Sequence, residues 1–399
     1  MTSRPALCLG EINVSEFPQL EYSKKDVVRA GDALKGRLVW TPESAADIQR
    51  VFSIANSWRA SHAFPMHSLR AELQGRMTAL KLKGLTAARL KQMSSIRGKL
   101  GRIDSNLRQL QDLGGCRAVL PTIEEARSLV SETINSSRHT LKSQNHYMDV
   151  PRSSGYRSHH LVFGFAPRNA SESGYEGRLI EIQIRSRLQH SWATAVEAVG
   201  LHRSENLKAG LGSVDWLRLF ELMSLEFAAS EGCEYAKDGS NSRAKEIIDL
   251  EASLNVVRTL DSLSHAVSSL DWMEHGRDSK PKYCVIKYDR KERKVDVKYL
   301  YTPSAIEDNL EVGEGSENES NRYSAVVVEL DKVENLREAY PNYFGDVQLF
   351  KSQMTAIVRG EPVTEYSLPP RERVPPAPRA ISDDSWFRFP NRRGRRWEL

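Results

Sequence analysis

The sequence is poor in cysteine and in long apolar runs, and both shortages exclude classes of protein. Its four cysteines lie far apart and form no C-x-x-C pair, which argues against a zinc site and a disulfide framework. We therefore expect buried thiols at Cys8, Cys116, Cys233 and Cys284. No stretch reaches the roughly 20 apolar residues that a membrane-spanning helix needs. The acidic residues Glu11 and Glu16 argue against a signal peptide, so we expect a cytoplasmic protein without a membrane partner.

Two common phosphate-binding motifs are also absent. The chain contains neither G-x-x-x-x-G-K-[ST] nor G-x-G-x-x-G after a strand, so a bound nucleotide would need another scaffold. What the chain has is 399 residues, of which 40% are hydrophobic and 27% charged, a balance typical of a folded, water-facing protein. This length exceeds one comfortable hydrophobic core, which predicts two domains with tails.

Positive charge is concentrated in residues 59–102. This segment contains ten Lys or Arg and a single acid, Glu72, although the net charge of the whole chain is only +5. Apolar residues recur in this segment at helical spacing, at Leu69, Leu73, Met77 and Leu80. The pattern predicts helices with a basic outer face, and a face that is merely solvated would show the same pattern.

Strands and helices alternate in the middle of the chain, which is an α/β pattern. The predicted strands are residues 116–120, 160–165 and 179–184, and the predicted helices are residues 122–135, 216–229 and 244–270. Residues 237–242 are expected to form a loop between the last two helices.

The composition changes near residue 280. Residues 283–288 and 294–301 alternate as a hairpin does, and a strand over 325–330 and a helix through Ile357 follow. We predict a large domain over 1–277 with basic N-terminal helices, a small α+β domain over 278–360 and a disordered Pro/Arg-rich tail over 361–399. The tail, with five Arg after residue 387, could contact RNA or a membrane surface, or simply be a soluble end.

Residues 179–185 are the most informative strand. A period of two puts Ile180, Ile182 and Ile184 on one face, and Glu181, Gln183 and Arg185 on the other. A surface strand would show the same alternation. Asp112, which precedes a glycine pair, could share a cation with Glu181, because Mg²⁺ binds one or two carboxylates together with substrate phosphates.

Six motifs occur in the order of the RelA/SpoT synthetase domain, and the chain resembles that family across about 110 residues. The motifs are Arg89-Leu-Lys91, Ser95-Ile-Arg-Gly-Lys99, Asp112-x-x-Gly-x-Arg117, Gly155-Tyr-Arg-Ser-His-His160, Glu181-Ile-Gln-Ile-Arg185 and His190-Ser-Trp-Ala193. The resemblance implies an α+β fold with a nucleotidyltransferase-like mixed sheet flanked by helices. It also implies transfer of the β,γ-pyrophosphate of ATP to a ribose hydroxyl.

The matched positions imply roles for individual residues. Glu181 is similar to the family's catalytic glutamate, with Gln183 and Arg185 in the same motif, and Asp112 with Glu181 would hold Mg²⁺. The residues implied to bind ATP are Arg89, Lys91, Ser95, Lys99 and Arg117. The residues implied to bind the acceptor are Arg152, Tyr156, which would stack on the base, and His160.

The chain also departs from the family pattern. It has no His-Asp dipeptide, which the hydrolase half of long family members uses for metal binding. Arg152 stands where the acceptor-side lysine is expected, and the segment from Glu197 breaks the His-rich helix that often follows the Trp-Ala pair. These departures leave the acceptor open between GTP or GDP and transfer RNA, and a catalytically dead nucleotide- or RNA-binding module is a third alternative.

Two flanking segments resemble the CapRel group of fused toxin and antitoxin relatives. They are Ser23-Lys-Lys-Asp-Val-Val-Arg-Ala-Gly31 and Ala339-Tyr-Pro-Asn-Tyr-Phe-Gly345. This resemblance makes the 3′ end of transfer RNA the predicted acceptor, and the ten cations of residues 59–102 suit such a polyanion. It implies an anti-phage toxin that is blocked by Tyr340 and Tyr343 until a phage protein binds. The two tyrosines could instead anchor a helix in a small core. The six acids of residues 305–321 could cover the basic face when the enzyme is off.

Overall fold

The computed structural model describes residues 13–36, 38–39, 41–203, 205–265, 283–289, 294–300, 323–330 and 347–364. Within these ranges the strands are β1 (Leu85–Leu90), β2 (Gly114–Leu120), β3 (Thr140–His146), β4 (His159–Gly164), β5 (Leu179–Ser186), β6 (Tyr283–Asp289), β7 (Lys294–Leu300) and β8 (Tyr323–Leu330). The α-helices are α1 (Lys24–Lys35), α2 (Ala45–Ala60), α3 (Ala63–Ala79), α4 (Met93–Leu100), α5 (Ile123–Ser136), α6 (Arg187–Arg203), α7 (Val214–Ser230), α8 (Ser240–Leu254), α9 (Val256–His265) and α10 (Gln348–Val358).

The eight strands form one mixed sheet in the order β3-β4-β5-β2-β1-β8-β6-β7. The β2–β5 pair is parallel, and the other neighbouring pairs are antiparallel. The parallel pair needs a long connection, which α5, β3 and β4 supply. The predicted mixed sheet flanked by helices is thus confirmed.

Helices cover both faces of the sheet. On one face, α3 and α5 pack against Ile180, Ile182 and Ile184, which are all buried. A second apolar cluster joins α6, α7 and α8 to Phe350 of α10, and a third joins α1, α2 and α4. Burial of these faces supplies the main favourable free energy of folding, at roughly 25 cal/mol for each Å² of apolar surface.

Most predicted elements are present, and the two strands that were missed have physical reasons. Five of the six residues of β1 are buried, so it shows no alternation that a sequence reading could detect. Strand β3 is an edge strand with mostly polar, exposed residues. The single helix predicted over 244–270 is broken into α8 and α9 at Asn255, whose φ of 51° is left-handed.

The predicted basic outer face over residues 59–102 is wrong in part, since Lys81, Lys83 and Arg102 are exposed but other cations of the segment are not. Arg59 and Arg70 are buried, and the Arg59 guanidinium donates to the Lys91 carbonyl at 3.1 Å. Arg76 donates to Ser136 at 2.8 Å and lies 3.5 Å from the Glu72 carboxylate. Some of these arginines therefore bind groups inside the fold, whereas the sequence pattern predicted that they lie on the surface and are available to a ligand.

The described residues fall within one compact unit, Met1–Tyr366. Strand β8 hydrogen-bonds to β1, so the strands of the predicted small domain continue the sheet, and the division into three ranges stays a prediction. Three of the expected thiols, Cys116, Cys233 and Cys284, are buried, and none of the three is in a disulfide bond. In the part that the structure describes, no helix is both long and apolar enough to cross a membrane.

Four predictions concern residues that lie outside the described ranges. These are the blocking tyrosines Tyr340 and Tyr343, the acidic segment 305–321, the Arg-rich tail and the thiol of Cys8.

Candidate active site

One face of the central sheet carries a band of polar side chains. Strand pairing puts Arg89 opposite Gly115 and Gly115 opposite Glu181, so these residues form one row across β1, β2 and β5. The next row places Arg117 opposite Gln183 and Gln183 opposite His160. Directly paired residues share a face, so the rows bring five of the predicted site residues onto one side of the sheet.

Gly115 keeps the centre of this face open. It lies between Arg89 and Glu181 in the same row and contributes no side chain. A β-carbon built there would meet no atom closer than 3.8 Å, so packing does not require the glycine. The hollow above Gly115 is therefore bounded by a guanidinium on one side and a carboxylate on the other.

Five side chains close a hydrogen-bonded cycle on this face, which we call the Glu181 ring. Gln183 donates to Glu181 at 2.6 Å, and Arg185 donates to Gln183 at 2.6 Å and to the Tyr156 hydroxyl at 2.8 Å. The Tyr156 hydroxyl contacts His160 Nε2 at 2.7 Å, and His160 Nδ1 contacts Glu181 at 2.9 Å. Because a carboxylate only accepts, Nδ1 carries the proton toward Glu181. The predicted catalytic trio and two acceptor-side residues thus form one unit.

The ring sets the protonation states of its members. Burial would raise the pKa of Glu181, but the hydrogen bond and charge of His160 lower it to about 2. Burial would lower the pKa of His160, but Tyr156 and Glu181 raise it. For Tyr156, the cations of Arg185 and His160 outweigh burial and lower the pKa of the hydroxyl. At neutral pH Glu181 is therefore an ionised ligand or hydrogen-bond acceptor, and a weak base.

Asp112 lies just before the central strand β2, between two lysines. Lys91 Nζ is 2.9 Å from Oδ2, and Lys99 Nζ is 3.0 Å from Oδ1. Burial would raise the pKa of Asp112, but the two lysines lower it, against an opposing contribution from Glu181. The predicted metal ligand and two predicted phosphate ligands are thus together, and an incoming phosphate competes with Asp112 for both lysines.

The two lysines lie at opposite ends of α4. Lys91 precedes the helix and Lys99 lies in its last turn, while the N-cap residue Gln92 makes no side-chain cap. The first N–H groups of α4 therefore point past Ser95, which is exposed, and can bind an anion. This strand, lysine and helix arrangement has the positive charge and the backbone N–H donors that a phosphate site without a glycine-rich loop would need.

The acceptor side is an aromatic cluster that contains one residue the sequence reading missed. Arg152 donates to the Tyr147 hydroxyl at 2.8 Å, and its guanidinium lies 4.5 Å from the Tyr147 ring centroid. Tyr147 packs edge-on against Tyr156 and His160. Tyr156 is only 5% exposed, so its ring is not open for stacking, whereas Tyr147 is half-buried. No signal in the sequence separates Tyr147 from an ordinary strand-end tyrosine.

Glu197 of α6 is a second residue that was missed as a site residue. Its carboxylate is 2.5 Å from Lys208 Nζ. Burial would raise the pKa of Glu197, but Lys208, Arg89 and Arg117 lower it. Glu197 therefore places a negative charge near two predicted phosphate ligands. The sequence showed this position only as a departure from the family's helix pattern.

The residues present fit a magnesium ion that is shared with substrate. Asp112 and Glu181 interact electrostatically, and the pKa of each is lowered, so both carboxylates are ionised at neutral pH. Mg²⁺ binds one or two carboxylates and takes its other ligands from phosphates and water. Among the described residues, no group of three or more His, Cys, Asp or Glu side chains could hold a metal ion.

A second polar cluster, which we call the Glu231 network, lies directly behind the ring. Glu231 lies 2.6 Å from Arg157 and accepts from Ser186 and from Gln189. Arg157 also donates to Cys233 at 3.1 Å. The network ties the start of α6 and the end of α7 to the segment that carries Tyr156.

The candidate site residues from Arg89 to Glu197 lie within a segment that matches a known protein family. Residues 88–204 match the family model described as the region found in RelA / SpoT proteins. The chain is also 29% identical over 122 residues to GTP pyrophosphokinase YjbM of Bacillus subtilis (strain 168). That match covers 30% of this chain and 57% of YjbM, so the chain spans just over half the length of this relative.

Solved structures align with about half of the chain. Small alarmone synthetase 1 from Bacillus subtilis, bound to its product pppGpp, is 23% identical, with a TM-score of 0.38, and the match covers 47% of this chain and 95% of that one. A GTP pyrophosphokinase family protein from Streptococcus pneumoniae is 18% identical, with a TM-score of 0.37, and the match covers 52% of this chain and 98% of that one.

Proposed function

We propose that the protein is an ATP-dependent pyrophosphokinase that acts on a ribose hydroxyl, because residues 88–204 match the model of the region found in RelA / SpoT proteins. The observation that carries this proposal is the Glu181 ring. Its carboxylate lies across the hollow at Gly115 from Arg89 and interacts electrostatically with Asp112. In the proposed reaction the acceptor oxygen bonds to the β-phosphorus of ATP. The bond from that phosphorus to the α,β-bridging oxygen breaks, and AMP leaves.

The donor side follows from charge and position. Lys91, Lys99 and the first turn of α4 would bind phosphate oxygens, and Arg89 and Arg117 would approach from the face of the sheet. Phosphoryl-type transfer depends mainly on such positioning and charge neutralisation. A Mg²⁺ ion held by Asp112 and Glu181 would supply further neutralisation of the phosphate charge. ATP must then replace Asp112 as the partner of the two lysines.

In this proposal the acceptor binds with its reacting hydroxyl near Glu181. Glu181 would accept the hydrogen bond of the hydroxyl and, as the new bond forms, its proton. Since His160 and Gln183 hold the Glu181 pKa at about 2, we expect acceptor binding to loosen one of these contacts. Tyr147 and Arg152 would bind the base, with Tyr156 supporting both from behind.

We propose a guanosine nucleotide, GTP or GDP, as the acceptor. The name of the relative YjbM supports this choice, and the basic residues that had favoured transfer RNA are partly used inside the fold. Transfer RNA as acceptor, the CapRel-type toxin role, the block by Tyr340 and Tyr343 and the phage trigger stay predictions. The cytoplasmic location also stays a prediction.

The test is transfer of label from ATP carrying ³²P at the γ-phosphate. The full chain is incubated with Mg²⁺ and, in separate reactions, GDP, GTP or deacylated transfer RNA. We expect label on GDP or GTP, and loss of transfer by about 10²- to 10⁴-fold in Glu181→Gln, the range for removing an acid–base group. Glu124→Gln, an exposed carboxylate on α5, is the matched control and should keep full activity.

The other outcomes are equally informative. Label on transfer RNA alone would replace the guanosine acceptor with the toxin activity. No label in any reaction, with the protein folded and ATP bound, would contradict the pyrophosphokinase proposal and leave a binding module.

A further inference from the structure

A cavity of about 620 Å³ lies apart from the candidate active site. Its walls are the segment that leads into α1 and the short helix Ala170–Tyr175 with the residues that follow it. None of the predicted catalytic, metal or nucleotide ligands lines it. Its volume falls within the roughly 300 to 1,000 Å³ that small-molecule sites occupy.

A buried guanidinium lines this cavity. Arg178 is only 6% exposed, yet in the part of the chain that the structure describes, no carboxylate lies within ion-pair distance of it. Its Nε donates to Ser61 Oγ at 3.0 Å, its Nη2 donates to the Gly174 carbonyl at 3.4 Å, and its plane lies 4.2 Å from the Trp58 ring centroid. These contacts are neutral. Buried arginines are nearly always paired with an anion, so this charge lacks its usual partner.

The surroundings add positive charge. Lys24 lines the cavity, and the charge of Arg108 also acts on Arg178. Burial and Arg108 lower the pKa of Arg178 to about 10, so the guanidinium is still charged at neutral pH. Glu176 is the single acid among the lining residues. The electrostatic balance therefore favours an anionic ligand.

The remaining walls suit a ligand larger than a bare ion. Ser23 and Lys24, the N-cap and first residue of α1, line the cavity, although the Ser23 hydroxyl caps the Asp26 N–H and contacts the Asp26 carboxylate. Tyr22 and Leu20 supply an aromatic ring and an apolar side chain. A phosphate at Arg178 thus leaves room for an attached planar or apolar group.

We propose that this cavity is a second ligand site, which binds a phosphate-bearing small molecule through Arg178 and Lys24. The phosphate supplies the counter-charge that Arg178 lacks, and the rest of the molecule packs against Tyr22. The site is independent of the pyrophosphokinase activity, since it uses none of the residues assigned to that reaction.

Lysine acetylation, read by mass spectrometry, tests the proposal at the site itself. The full chain is treated with an acetylating reagent in the presence of inorganic pyrophosphate or AMP as probe. Lys25, the exposed neighbour that does not line the cavity, is the internal control. We expect both probes to slow acetylation of Lys24 several-fold with Lys25 unchanged, and AMP to act at lower concentration because Tyr22 contacts its base.

Three variants make the result decisive. Arg178→Gln should abolish the protection of Lys24, with folding checked by thermal unfolding. If that variant is unstable, Glu176→Gln replaces an exposed acid and should lower the probe concentration for half-protection about two- to five-fold, as a lost surface charge contact would. Protection should persist in Glu181→Gln. Equal protection of Lys24 and Lys25, or none, would overturn the proposal, and so would protection that neither cavity variant changes.

Discussion

The Glu181 ring and the Glu231 network use consecutive residues of the same chain segments for different purposes. Tyr156 and Arg185 belong to the ring, whereas Arg157 and Ser186, the next residues along the chain, belong to the network. In the network the Arg157 and Glu231 side chains are 2% and 0% exposed, while in the ring His160 and Glu181 are 11% and 17% exposed.

This difference in exposure separates a scaffold from a site. The Glu231 carboxylate accepts hydrogen bonds from Ser186 and Gln189, forms an ion pair with Arg157 and is closed to water, so its contacts serve to fix α6 and α7 in place. The Glu181 carboxylate is satisfied by two groups that a ligand can displace, at a place that solvent reaches. Similar hydrogen bonds therefore hold a fully buried carboxylate in one cluster and a carboxylate that solvent can reach in the other.

The largest effect should come from breaking the network. Glu231→Gln leaves Arg157 as a buried, unpaired cation, and we expect a loss of about 3 to 5 kcal/mol in the free energy of unfolding. Chemical denaturation measures this loss. Glu234→Gln, three residues on with a side chain that is 84% exposed, is the control and should change stability little. Equal losses in the two variants would show that the buried pair has no special role.

A smaller effect should follow from opening the ring at Tyr156. Tyr156→Phe removes the hydroxyl that joins Arg185 to His160, and we expect a loss of roughly 1 to 3 kcal/mol in unfolding free energy, since both partners are buried. Pyrophosphate transfer should fall too, because Arg185 and His160 lose their fixed positions. A variant with unchanged stability would mean that the ring is not closed in solution.

The pH dependence of transfer should respond to a change at the ring residue His160 but not to one at its neighbour His159. The Glu181 pKa lies below its usual value of 4.5, so the contact with His160 stabilises the protein above about pH 4.5 and is lost as the pH falls toward 2. In His160→Gln the pKa of Glu181 should rise, since burial then dominates. We expect the acidic limb of the pH–rate profile for transfer to move to higher pH.

The neighbouring histidine provides the control for this experiment. His159→Gln alters a residue that packs edge-on against His146 and makes no contact with Glu181, so the acidic limb should stay where it is. A limb that moves equally in both variants would contradict the assignment of His160.

The smallest effect should come from Glu197, which opposes the donor side. Glu197→Gln removes a negative charge that acts on Arg89 and Arg117, so ATP should bind more tightly. We expect KM for ATP to fall about two- to five-fold at low salt with kcat nearly constant, which steady-state kinetics measures. Glu205→Gln, whose carboxylate pairs with Arg203 instead, should leave KM unchanged.

Sequence patterns predicted the parts that local periodicity determines. The alternation over 179–185 correctly separated the isoleucine face from the Glu181 face, because strand geometry allows no other arrangement. The motif order also marked Asp112, Lys91 and Lys99, which the structure brings together. Charge counting failed for Arg59, because the sequence does not reveal that its side chain is buried against a carbonyl.

The sequence by itself determined the mixed sheet, the face that carries Glu181 and the set of cations near the candidate phosphate site. Only the tertiary structure decided how the polar residues are paired, because the contact of His160 with Glu181 and that of Arg157 with Glu231 join residues 21 and 74 positions apart. It also decided that Tyr156 is covered, that Glu197 opposes the phosphate ligands and that Arg178 lines a cavity without an acid beside it. Burial and electrostatic compensation depend on which distant segments meet, and local sequence does not contain that information.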